Sequence, residues 1–235
     1  MITERQEKIL NTVVQEYVRS AQPVSSKLLE KKYGFDVSPA TIRIEMQKLT
    51  DAGFICQPHT SAGRVPTDKG YRLFVNKLLE EKSDGGADAG LKKLFEYETE
   101  DTIKLLQSLT RDLARISSDF AFSCLPQEEL FWKEGWEEVL SKPEFQEKGT
   151  VSHFASMIKN IEENIEDLEP DSRVKIFIGG ESPFPKTREF SIILTKCSFP
   201  GKEEGVLAIL GPKRMTYDKN ISLINSAAKL LNRSL

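Results

Sequence analysis

The sequence predicts an α+β protein of two parts, a winged helix-turn-helix unit over residues 1–82 and a mixed body over residues 91–235. Three observations predict it. Three short amphipathic helices with cap signals precede a hairpin and a fourth helix, the element order of a winged helix. Ser83-Asp84-Gly85-Gly86-Ala87-Asp88-Ala89-Gly90 is small and polar with no apolar anchor, as a flexible linker is. Beyond it, apolar runs of strand length alternate with helical periodicity.

Thr3 with Gln6 three residues on forms a capping box, and Ile9, Leu10, Val13, Val14, Tyr17 and Val18 then make one broad apolar stripe. Pro23 with Ser25 or Ser26 opens a second helix carrying Leu28 and Leu29, and Gly34 suits a left-handed C-cap. Ser38-Pro39 is a cap followed by proline at the first helical position, where the missing N–H costs nothing. That third helix runs to Gly53. Phe54–Gln57 reads as a strand, Ala62-Gly63-Arg64-Val65 allows a turn and a short return strand, and Thr67 caps a fourth helix with Tyr71, Phe74, Val75 and Leu78 on one face.

At about 100° per residue, Ile42, Met46 and Leu49 of the third helix share a core side. Ala40, Ile44 and Gln47 lie opposite, flanked by Thr41, Arg43 and Lys48, with Ser38 at the start. A recognition helix needs such a set: small residues for close approach, an amide and a guanidinium for base edges, cations for phosphate, and an apolar group for a thymine methyl. Any amphipathic surface helix also has a polar outer face, and helix-turn-helix units also serve protein contacts.

In the body, Asp101–Ser118 reads as a helix whose Leu106, Leu109, Leu113 and Ile116 are spaced like a coiled-coil seam. These four are the candidate dimerisation residues, although packing on the chain's own sheet would use the same spacing. Phe120–Leu125, Val174–Ile178, Phe190–Lys196 and Val206–Leu210 are candidate strands, and Val151–Leu168 and Asp218–Asn232 candidate helices.

Residues 1–82 carry 13 Lys+Arg against 10 Asp+Glu, the remainder 20 against 26, so a mildly basic unit precedes an acidic body in a chain of net charge -3. No apolar run is of membrane-spanning length and no signal core opens the chain, so a cytoplasmic protein without membrane contact is expected. Cys56, Cys124 and Cys197 are scattered singly and read as reduced thiols, not a disulfide framework or zinc site. His59 and His153 have no partners at metal spacing, and Gly179-Gly180-Glu181-Ser182 lacks a P-loop lysine. No catalytic set, metal or cofactor is expected.

Ser38-Pro39-Ala40-Thr41-Ile42-Arg43, Gly53-Phe54-Ile55 and the run from Gln57 through Pro58-His59-Thr60-Ser61-Ala62-Gly63-Arg64 to Pro66-Thr67-Asp68-Lys69-Gly70-Tyr71-Arg72 resemble the heat-inducible transcription repressors, the HrcA family. Near the end, Gly205–Tyr217 is similar to that family's closing strand and GPxRMxY turn. The resemblance departs at Ile44, where the family usually carries Asn, a change expected to alter operator sequence or affinity. It also departs in length, the chain being about a hundred residues, roughly one small domain, shorter in its middle than the family pattern implies.

The resemblance implies a reduced GAF-like body and a repressor that binds an inverted-repeat operator before chaperone genes as a dimer. It also implies a GroEL-type chaperonin that keeps the repressor active. His59, Thr60, Ser61 and Arg64, with Lys69 and Arg72, would then hold phosphate or the adjacent minor groove. The alternative is a ligand-responsive regulator whose GAF-like body binds a small molecule.

Overall fold

Local capping chemistry starts each helix of the first unit. In the computed structural model, which describes residues 2–35, 37–60, 62–81, 101–165, 173–185, 187–199 and 204–232, the chain divides into Met1–Glu81 and Lys82–Leu235. The expected linker, Ser83–Gly90, lies outside the described residues, as does Ser61. Thr3 and Gln6 close a reciprocal capping box on α1 (Glu4–Ser20). Ser25 caps α2 (Ser26–Tyr33), which ends at Gly34 with φ +57°. Ser38 caps α3 (Pro39–Asp51). β1 (Ile55–Cys56) pairs antiparallel with β2 (Val65–Pro66), and the Thr67 hydroxyl accepts from the Gly70 N–H at the start of α4 (Asp68–Glu81).

Ile9, Leu10, Val13 and Val14 of α1 meet Leu29, Ile42, Met46, Leu49, Ile55, Tyr71 and Val75 in the core of this unit. Two buried carboxylates tie the helices together. Glu16 accepts from Lys32 Nζ at 2.8 Å and Tyr33 Oη at 2.5 Å, joining α1 to α2; burial and that carboxylate push the phenol pKa up. Glu45 accepts from Lys48 Nζ at 2.9 Å and Gln6 Nε2 at 2.8 Å, joining α1 to α3.

Those two hydrogen bonds hold the Glu45 carboxyl below the usual glutamate range. The folded unit therefore binds this proton less tightly than the unfolded chain, whose value is about 4.3, and stability rises with pH across the interval between the two. It is lost again as pH falls through the folded value. Glu45→Gln is expected to make the acid limb of unfolding shallower in a far-UV circular dichroism titration. An acid limb identical to wild type would show that the two bonds do not persist in solution.

The second unit is built on a five-stranded antiparallel sheet in the order β4-β3-β7-β6-β5, with β3 Phe120–Leu125, β4 Leu130–Glu134, β5 Lys175–Ile178, β6 Phe190–Ser198 and β7 Glu204–Pro212. Alternation divides its faces. Phe120, Phe122, Cys124, Phe190, Ile192, Leu194, Val206, Ala208 and Leu210 share a core with Phe154, Met157, Ile158 and Ile161 of one helix. That helix is Thr150–Glu163, here α7 because α5 (Thr102–Ser117) and the short α6 (Trp136–Leu140) precede it. The opposite face carries α5 and α8 (Tyr217–Leu231), with Ser123 bonded to Thr110 and Ser191 Oγ 2.7 Å from Tyr217 Oη.

The sequence predicts four strands in this unit, and its sheet has five among the described residues. β4 and α6 are additions to the predicted elements, and the expected helix Val151–Leu168 is Thr150–Glu163, with residues 166–172 outside the described set. Leu106, Leu109 and Leu113 are at most 3% exposed and Ile116 is half-buried, on a helix packed against β3. The seam is thus covered within one chain.

The turn after β7 is locked by a buried polar cluster. Asp119, 1% exposed, pairs with Lys142 and accepts from Asn220 Nδ2 at 2.9 Å. Burial pushes its carboxyl pKa up against the opposing pull of the Lys142 ammonium and the Asn220 amide. A Cβ on Gly211 would stand 2.1 Å from Asp119 Oδ1, so only glycine leaves room for the carboxylate. Arg214 pairs with Glu144 through both nitrogens of its fork, Met215 is buried, and the Tyr217 hydroxyl donates to the Lys213 carbonyl at 2.7 Å. The closing Gly211–Tyr217 motif is a structural joint.

Candidate nucleic-acid interface

α3 presents its outer face because Ile42, Met46 and Leu49 are drawn inward. Among the described residues, Ile44 is the most exposed large apolar side chain, at 57%. Ala40 and Arg43 flank it and are exposed, and no side-chain partner of Arg43 is seen among the described residues. Ser38 Oγ is engaged as the cap of α3, 3.1 Å from Thr41 Oγ1, and Lys48 is paired with Glu45. Ala40, Arg43 and Ile44 therefore form the unencumbered centre of the face.

The loop of the β1–β2 hairpin is fixed beside that face. Gln57 Nε2 donates to the Thr60 and Ala62 carbonyls at 2.8 and 2.9 Å, which closes the loop and leaves His59 and Thr60 exposed at its tip. At its base, Val24 and Arg64 exchange both backbone hydrogen bonds, 2.9 and 2.8 Å. A Cβ on Gly63 would meet the Val24 carbonyl at 2.5 Å, so glycine permits this close approach. Between the start of α2, α3 and the hairpin lies a groove of about 320 Å³, lined by Ser25, Arg43, Thr60 and Arg64 among others.

All three cations expected on phosphate are engaged within the unit. Lys69 donates to the Ala52 carbonyl at 2.8 Å, completing the end of α3, and stands 4.4 Å over the Phe54 ring. Arg64 is half-buried, its Nε donating to Thr50 Oγ1 at 3.1 Å and its Nη2 to Gln47 Oε1 at 3.2 Å. Gln47 Nε2 donates in turn to Asp51 Oδ1 at 2.8 Å. Arg72 reaches Asn76 on its own helix. Thr50, Asp51 and Val24 were not singled out in the sequence; the four-residue spacing of Gln47 and Asp51 was the one available signal.

Elsewhere, His153 Nδ1 lies 3.0 Å from Glu189, and no group of His, Cys, Asp and Glu fit to hold a metal occurs among the described residues. Burial pushes the Cys124 thiol up to about 12 and raises Cys197 as well, which keeps both protonated. No described helix is long and apolar enough to cross a membrane.

Comparison with known proteins adds identity to this geometry. Residues 69–221 match the family model described as the HrcA protein C terminal domain. The heat-inducible transcription repressor HrcA of Thermodesulfovibrio yellowstonii is 26% identical over 343 aligned positions, covering 100% of this chain and 98% of the relative. Those 343 positions exceed the chain's 235 residues by 108, so this chain lacks a substantial part of the relative's length. The repressor of the same name from Streptomyces avermitilis is 45% identical over 121 positions, covering 48% of this chain and 36% of the relative. A crystal structure described as a hypothetical protein shares the fold across 100% of both chains, with a TM-score of 0.82 at 21% identity. With a family model spanning α4 to the first turn of α8 and relatives of one name aligned along the whole chain, the chain belongs to the HrcA family.

Proposed function

We propose that this chain is a DNA-binding transcriptional repressor of chaperone genes, with a winged helix-turn-helix reader and a reduced GAF-like body. It binds an inverted-repeat operator as a dimer and is kept competent by a GroEL-type chaperonin. The observation that carries the DNA reading is the free, exposed Ala40-Arg43-Ile44 centre of α3 beside a hairpin pinned at its base. Arg43 suits a guanine edge, Ile44 a thymine methyl, and Ala40 close approach to the groove floor. The heat-shock role, the operator symmetry and the chaperonin rest on family membership. Filling the chaperonin with unfolded clients on heating would lower the competent fraction of repressor and free the promoter, which is linkage by mass action.

The test is selection of binding sites from a random duplex library, with light scattering on the free protein and titration with and without chaperonin. An inverted repeat, a dimer and a higher active fraction with chaperonin support the reading. No selected motif, or a protein stabilised by a metabolite and indifferent to chaperonin, overturns it. Arg43→Ala is expected to cost about 1–3 kcal/mol in specific binding and to relax one base position, measured by anisotropy at moderate salt. Ile44→Asn, carried through the same selection, is expected to return a different base at the position Ile44 covers. Identical motifs would remove Ile44 from readout.

A further inference from the structure

We propose that Arg64 is a positioning residue that fixes the reading edge of Gln47, and that Gln47 so held selects adenine in the operator. The inference rests on the reading of α3 as a major-groove helix. An Arg guanidinium has only donors, so the end of the Gln47 amide at Arg64 Nη2, 3.2 Å away, is its oxygen. An ionised Asp carboxylate has only acceptors, so the end at Asp51 Oδ1, 2.8 Å away, is the NH₂. A glutamine amide ordinarily flips at little cost and serves several bases. Here the flip would set donor against donor at Arg64 and acceptor against acceptor at Asp51.

The held amide keeps one oxygen lone pair and one N–H to offer. Adenine alone among the bases shows a donor at N6 beside an acceptor at N7 in the major groove, the complement of that pair. Guanine shows two acceptors, one of which would face the Gln47 oxygen. The Arg64 guanidinium is held at Nε by the Thr50 hydroxyl, and its main chain is pinned by both backbone bonds to Val24. A guanidinium so tethered positions a neighbour. A phosphate-seeking arginine would extend from the hairpin, as Arg43 does from α3.

The test uses the full chain with Arg64→Met, which keeps the aliphatic stem and the backbone pair with Val24, beside Gln47→Ala and the double variant. In the free protein, the Gln47 side-chain amide signals are expected to be ordered in wild type and mobile in Arg64→Met. Against duplexes substituted one base pair at a time, discrimination of about tenfold at an A·T pair should collapse toward parity in both single variants. The double variant should lose nothing further there, and the salt slope of Arg64→Met should match wild type. A slope reduced by about 0.9 with base preference intact would make Arg64 a phosphate contact and overturn the proposal. An Arg64→Met protein whose Gln47 amide stays ordered overturns it equally. Wild-type protein that binds no duplex in any sequence overturns the proposed function, and this inference falls with it.

Discussion

Asp119→Ala is expected to destabilise the second unit by about 3–5 kcal/mol, because it strands the Lys142 ammonium, only 17% exposed, without its counter-charge. Asn220 loses its acceptor at the same time. The chain's two tryptophans, Trp132 and Trp136, both lie in this unit, so urea unfolding followed by tryptophan fluorescence reads it alone. Asp119→Ala combined with Lys142→Met should recover most of the loss, since replacing both members of a buried pair removes the stranded charge. A single-variant loss under about 1 kcal/mol, the value of an exposed pair, would show that water reaches the carboxylate.

Gly70→Ala is expected to have the largest effect on the first unit. The added Cβ would lie 2.1 Å from the Phe54 carbonyl oxygen and 3.4 Å from Leu10 Cδ1. That carbonyl cannot simply move aside, for it accepts from the Thr67 N–H and hydroxyl, both at 3.1 Å, in the joint between hairpin and α4. Overpacking of this kind costs about 1–3 kcal/mol and occasionally more. With no tryptophan among residues 1–81, the loss will be silent in fluorescence and visible as a lowered helical melt by circular dichroism. DNA affinity should fall with it. An unchanged melt would mean that α4 tilts without breaking the Thr67 cap.

The helix starts were legible because caps are local. Thr3 with Gln6, Ser25, Ser38 before Pro39, and Thr67 all act within three residues, and each stands where its spacing put it. β4 was not legible: Leu130-Phe131-Trp132-Lys133-Glu134 has no two-residue alternation, because an edge strand with four half-buried positions imposes none. The leucine seam of α5 allows two readings, because a 3-4-3 spacing fits a sheet as well as a partner helix, and three of its four residues are buried on a helix packed against β3. Long-range polar chemistry left the faintest trace. Asp119 and Asn220 are 101 residues apart and Arg64 and Gln47 are 17 apart, so neither pair follows a periodicity. At the candidate site, the 100° spacing of α3 separates buried Ile42, Met46 and Leu49 from exposed Ala40, Arg43, Ile44, Gln47 and Lys48. Which of its members are already committed to neighbours emerged only in three dimensions.

The strand order has a consequence for how the chain is made. β7, the middle strand of the sheet, is the last of its strands in sequence. When β3 and β4 leave the ribosome, β3 has a partner on one edge only, and Phe120, Phe122 and Cys124 have nothing to cover them. At about 5–20 residues per second, the wait for β7 is on the order of ten seconds. During that time the nascent body holds out a bare hydrogen-bonding edge and a greasy surface to any neighbouring chain. Met1–Glu81 owes its core to contacts within itself and can be finished while the rest is still being translated. Synthesis thus yields a folded first unit attached to an unfinished, adhesive body, and the yield of native protein will depend on how well that half is kept apart from its neighbours.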